Sequence, residues 1–101
     1  AYMVRRLTSD PARVFGVKGG TINVGDRADL ILIDPSALRR LDHHNTVKRQ
    51  FRDVFQHEQL VNRTDGVVPL VMIAGHAAWS GDSFDQSLGQ IPMGTVLETT
   101  F

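Results

Sequence analysis

Apolar positions in this chain fall in short clusters separated by turn-forming residues, not in long periodic stripes. Val4, Leu7, Val14 and Phe15 are available for one buried helical face, so residues 1 to 15 are predicted helical. The step Thr8-Ser9-Asp10-Pro11 divides that helix into a bent pair. Thr8 or Ser9 is placed to cap the second piece, and Pro11 is tolerated in a first turn because its missing N–H would be unpaired there anyway. Gly16 supplies the stop. Lys18 to Asp26 alternates turn formers with β-branched residues and predicts a short strand between two turns. Ala28 to Ile33 is rich in branched apolar residues and is ended by Asp34-Pro35, which predicts a strand buried on both faces or nearly so.

From Ser36 to Gln59 charged residues dominate. Val47, Phe51, Val54 and Phe55 would share one face of an amphipathic helix from about Thr46 to His57; an extended surface excursion anchored by the two phenylalanines is the alternative. Asn62 to Gly66 is a turn cluster. Val67 to Ala74 carries the strongest strand signal, with Pro69 predicting an edge or a bulge near its start. Gly75-His76 then separates this strand from Ala77-Ala78-Trp79, which predicts a hairpin with a two-residue loop. Ser83 to Met93 is irregular, and Gly94 to Leu97 predicts a last short strand. The expected fold class is therefore mainly β with short N-terminal helices, with no internal repeat.

Composition narrows the function. The 101 residues are 42% hydrophobic and 22% charged, which fits a folded domain. At this length a domain buries only roughly 60 to 70 per cent of the surface its unfolded chain exposes. Eleven basic side chains balance eleven acidic ones, so no bulk field draws the chain to nucleic acid or to an anionic membrane. No apolar run approaches the roughly 18 to 20 residues of a membrane span, and the first residues lack the pattern of a secretory signal. With no cysteine there is no disulfide framework and no thiolate ligand, and the expected location is cytoplasmic.

Residues able to do chemistry are few and scattered. His43 and His44 are adjacent, so they diverge on either a strand or a helix; His57 and His76 stand alone, and neither HxH nor HExxH occurs. A catalytic zinc site needs about three converging ligands, which this spacing does not offer. Ser80 and Ser83 lie in no GxSxG elbow, and Ser80-Gly81-Asp82 reads as turn chemistry. Gly16, Gly19, Gly20 and Gly25 form neither GxGxxG nor a P-loop, and Arg39, Arg40, Lys48, Arg49 and Arg52 are interrupted by Asp42. Trp79 beside the hairpin turn is read as a core or interdomain contact. No residue is assigned a catalytic, cofactor-binding or metal-binding role.

The order of the segments is nevertheless familiar. Leu7-Thr8-Ser9-Asp10-Pro11-Ala12-Arg13-Val14-Phe15-Gly16-Val17, followed by Gly20-Thr21-Ile22-Asn23-Val24-Gly25-Asp26-Arg27-Ala28-Asp29-Leu30 and on to Asp34-Pro35, resembles the C-terminal segment of the amidohydrolase superfamily. Asn62 to Val68, the Val71 to Gly75 hairpin and Gly94 to Leu97 look most like the N-acyl-D-amino-acid and N-acyl-D-glutamate deacylase branch, where the hairpin turn usually reads Asn-Gly instead of Ala74-Gly75. The resemblance implies that residues 1–16 are the last helical piece of a catalytic TIM barrel. Residues 17–101 would be the C-terminal part of the small β-sandwich that flanks it, with the N-terminal remainder of the same enzyme as partner. It implies a polypeptide of roughly 450 to 550 residues, since the barrel alone takes about 250. It also implies zinc in the intact enzyme, a metal-activated water attacking the amide of an N-acyl-D-amino acid, and no metal or catalysis in these residues alone. A stand-alone β-rich interaction module is the competing reading.

Overall fold

Residues 1–63 and 66–100 are described by a computed structural model. The chain begins with two single-turn-and-a-half helices, α1 (Tyr2–Leu7) and α2 (Ser9–Val14), which break at Thr8 as the Thr-Ser-Asp-Pro step predicts. Pro11 is the third residue of α2, where its missing N–H leaves no bond unmade. Thr8 occupies the N-cap position, but its hydroxyl donates backwards to the Val4 carbonyl at 2.7 Å and gives α2 no cap. Gly16, with φ 62°, closes α2: its N–H reaches the Arg13 carbonyl and the Val17 N–H reaches that of Ala12, a Schellman closure that only a left-handed residue permits cheaply.

The helix pair does not present the buried apolar face that its pattern predicts. Val4, Leu7, Val14 and Phe15 are all exposed, and the buried residue is Asp10. Its carboxylate accepts from Arg5 and Arg13 at 3.4 Å and lies 3.8 Å from Arg6, so charge, not apolar contact, organises the pair.

The main sheet has four antiparallel strands in the order β1 (Leu30–Leu32), β4 (Leu70–Ile73), β5 (His76–Ser80) and β6 (Ser83–Phe84). Leu30 faces Met72 and Leu32 faces Leu70; Val71 faces Trp79 and Trp79 faces Phe84. A register shift between Val71 and Met72 supplies the bulge that Pro69 predicts. The Ala28–Ile33 strand contracts to three residues and is not buried on both faces: Ile31 and Leu32 are 57% and 56% exposed. Beyond it lies a helix that the apolar pattern does not signal, α3 (Pro35–Arg40), with proline at its start and Asp34 accepting from the N–H groups of Ser36 (2.7 Å) and Ala37 (3.2 Å).

Between α3 and β4 in the chain, β2 (Val47–Arg52) and β3 (His57–Asn62) form a separate antiparallel ribbon. The amphipathic helix over Thr46 to His57 is therefore replaced by the extended alternative. Val47 and Phe51 share a strand face as readily as a helix face, and the continuous pairing from Val47↔Asn62 to Arg52↔His57 satisfies the ladder that a helix would otherwise have made internally. Val54 and Phe55 lie in the turn, where Gln56 takes φ 53°. Among the described residues the ribbon packs on no other helix or strand.

Two predicted strands do not form. In Lys18 to Asp26 the backbone turns instead, because the Asp26 carboxylate accepts from the Thr21 hydroxyl (2.6 Å) and the Asn23 N–H (2.8 Å); these bonds hold its carboxyl below the usual carboxylate range. Gly94 to Leu97 makes no ladder, although the chain beyond it does return: Val17 bridges Thr99, and the Thr100 N–H and hydroxyl both donate to the Gly16 carbonyl at 2.8 and 2.9 Å. In the predicted turn cluster from Asn62 to Gly66, Thr64 and Asp65 lie outside the described residues.

The packing is open. Only Val67, Ala78 and Met93 are buried apolar residues among those described, and no described side chain is completely buried. The accessible surface is 8495 Å², whereas a folded monomer of 11.2 kDa exposes about 5,700 Å². The radius of gyration is 15.9 Å, against about 12.7 Å for a compact domain of this length.

Candidate functional site

Strand alternation puts one side chain from each strand of the main sheet in a row. Ile31 of β1 lies opposite Val71 of β4, Val71 opposite Trp79 of β5, and Trp79 opposite Phe84 of β6. Ile73, Val68 and Leu88 extend this row into an open apolar cleft of about 580 Å³. Trp79 is fixed within it by its indole N–H, which donates to the Val68 carbonyl at 3.1 Å, and by an edge-on contact with Phe84 at 4.9 Å between ring centroids. Phe84 remains 66% exposed. Asn62 and Arg63 stand at the border, and the row itself carries no acid, base or nucleophile. Such a surface suits packing against another apolar layer.

The opposite end of the β4–β5 hairpin is pinned from β1. Ala74 and Gly75 form its two-residue turn with φ 49° and 83°, the left-handed pair of a type I′ turn. The loop is thus one residue earlier than Gly75-His76, and His76 is the first residue of β5. Asp29 accepts the Ala74 N–H at 2.8 Å, and the neighbouring Ala28 carbonyl accepts the Gly75 N–H at 2.9 Å. Arg27 pairs with the same carboxylate. The bond from Ala74 first, and Arg27 second, hold the Asp29 carboxyl below the usual carboxylate range. The aspartate of the Ala28-Asp29-Leu30 step thus fixes a turn 45 residues away.

The residues weighed for chemistry do not converge. The His43 and His44 ring centroids lie 3.9 Å apart with the planes tilted by 39°, while Asp42 beside them accepts from the His44 N–H and the Asn45 amide. His57 places Nδ1 2.9 Å from the Phe55 carbonyl oxygen and Nε2 near Gln59. His76 is paired opposite Ile73 beside the hairpin turn. Ser80 and Ser83 face each other across the β5–β6 turn. Among the described residues no three histidine, aspartate or glutamate side chains are grouped to hold a metal ion. Of the basic stretch, Arg39 bonds Ser36 and Arg49 pairs with Glu58 at 3.5 Å. The cluster of Arg5, Arg6 and Arg13 on Asp10 is the feature that the apolar pattern conceals; its signal is the (i, i+4) spacing of Arg6 and Asp10 across the Thr8 break and the (i, i+3) spacing of Asp10 and Arg13 within α2.

Among the described residues no helix is long and apolar enough to cross a membrane. Residues 3–78 match the amidohydrolase family. An uncharacterized protein of Mycobacterium tuberculosis (strain H37Rv) is 34% identical over 83 residues, which are 80% of this chain and 13% of that relative, and a Mycobacterium bovis protein matches to the same extent. A Rhodopirellula baltica protein provisionally named a dihydroorotase is 38% identical over 58 residues, 57% of this chain and 12% of its own length. The chain therefore spans only about an eighth of the curated relatives it matches. No solved structure matches it.

Proposed function

The chain belongs to the amidohydrolase family, and on that premise we propose that it is the C-terminal scaffold segment of a hydrolase that cleaves the amide bond of N-acyl-D-amino acids. Residues 1–16 are the last helical piece of the catalytic barrel and residues 17–101 the C-terminal share of the flanking β-sandwich. The remainder of the polypeptide supplies the barrel, the zinc site and the strands that cover the row Ile31, Val71, Trp79 and Phe84. Cysteine-free composition supports a cytoplasmic setting.

The observation that carries this reading is the uncovered surface. The excess over a folded monomer is about 2,800 Å², more than three times the roughly 800 Å² that one partner contributes to a standard protein–protein interface. A deficit of that size is what removing the rest of a domain leaves behind, and it disfavours a self-sufficient interaction module. These side chains hold elements in place; no chemical step is assigned to them.

The test uses the full-length polypeptide supplied with zinc, assayed on N-acetyl-D-glutamate, N-acetyl-D-methionine and dihydroorotate. Turnover of an N-acetyl-D-amino acid, absent from residues 1–101 alone, supports the proposal. Turnover of dihydroorotate only would replace the substrate, and zinc-dependent turnover by residues 1–101 alone would overturn the scaffold assignment.

A further inference from the structure

We draw no further inference here: the strongest candidate, the open apolar cleft across the four-stranded sheet between Ile31, Val71, Trp79 and Phe84, belongs to the face already assigned to the remainder of the enzyme, and nothing in the structure shows a second occupant for it.

Discussion

Replacing Ala74 with asparagine is expected to stabilise the β4–β5 hairpin. Ala74 takes φ 49°, a left-handed conformation that costs an ordinary L-residue roughly 1–2 kcal/mol. Asparagine tolerates this region and, followed by Gly75 at φ 83°, completes the Asn-Gly pair that two-residue type I′ turns favour. The side chain at position 74 is exposed, so the longer amide meets solvent, and the backbone N–H that Asp29 accepts is unchanged. Most of the strain, about 1 kcal/mol, should therefore be recovered. Native-state hydrogen exchange of the full-length polypeptide reads this locally: amides of β4 and β5 that exchange through hairpin opening should slow about fivefold. Gly75→Ala is the opposing control, because it forces a Cβ onto φ 83°, and it should speed the same amides by a similar factor. Unchanged or faster exchange in Ala74→Asn, together with an indifferent Gly75→Ala, would refute a left-handed turn at these positions.

Asp29→Ala should loosen the same hairpin by about 1 kcal/mol, a value reduced from that of a buried charged bond because the carboxylate is 41% exposed. Since folding lowers the Asp29 pKa, its contribution is present above the unfolded value of about 3.9 and is lost as pH falls through the lower folded value. Exchange protection near Ala74 should hold from pH 7 to about pH 5, weaken below about pH 4, and lose that acid dependence in Asp29→Ala; a wild-type loss near pH 6 would contradict the assignment. Gly20→Ala places a Cβ 2.7 Å from the Thr8 carbonyl carbon and oxygen at φ 76°, so it should destabilise the helix–loop junction by about 2–4 kcal/mol, read as faster limited proteolysis near Thr8. The isolated 101-residue chain should self-associate in sedimentation, and Ile31→Lys with Val71→Lys should shift it toward monomer; a compact wild-type monomer would sink the uncovered-face argument.

Local chemistry is legible wherever a residue constrains its own backbone. The break before Pro11, the stop at Gly16, the irregularity after Pro69 and the β4–β5 hairpin all follow from the backbone preferences of proline and glycine at those positions. Burial is not legible: Val4, Leu7, Ile31 and Leu32 are apolar positions that nevertheless stay more than half exposed. The ribbon is ambiguous for a different reason: Val47 and Phe51, four residues apart, satisfy both a helical and an alternating pattern, and only the partner strand His57–Asn62 decides between them. The strand expected over Lys18 to Asp26 fails because Asp26 takes the Asn23 N–H that a ladder would have used, and the nonlocal reach of Asp29 to Ala74 is visible only in the fold. At the candidate site the absence of a motif is readable, whereas the row across four strands needs the register.

The return of Thr100 to Gly16 also sets a schedule. Those two residues are 84 positions apart, and a ribosome adding about 5–20 residues per second reaches Thr100 roughly 4–17 s after Gly16. The Schellman closure of α2 needs only its immediate neighbours and can form at once, but the outer oxygen lone pairs of Gly16 must wait for the returning segment. Until then the helix pair lacks its clasp, with Leu7, Val14 and Phe15 on its outside, through the interval in which every strand of the main sheet is being made. Releasing Thr99 and Thr100 alone would therefore leave every strand of the main sheet in place and take away only the clasp on the helix pair.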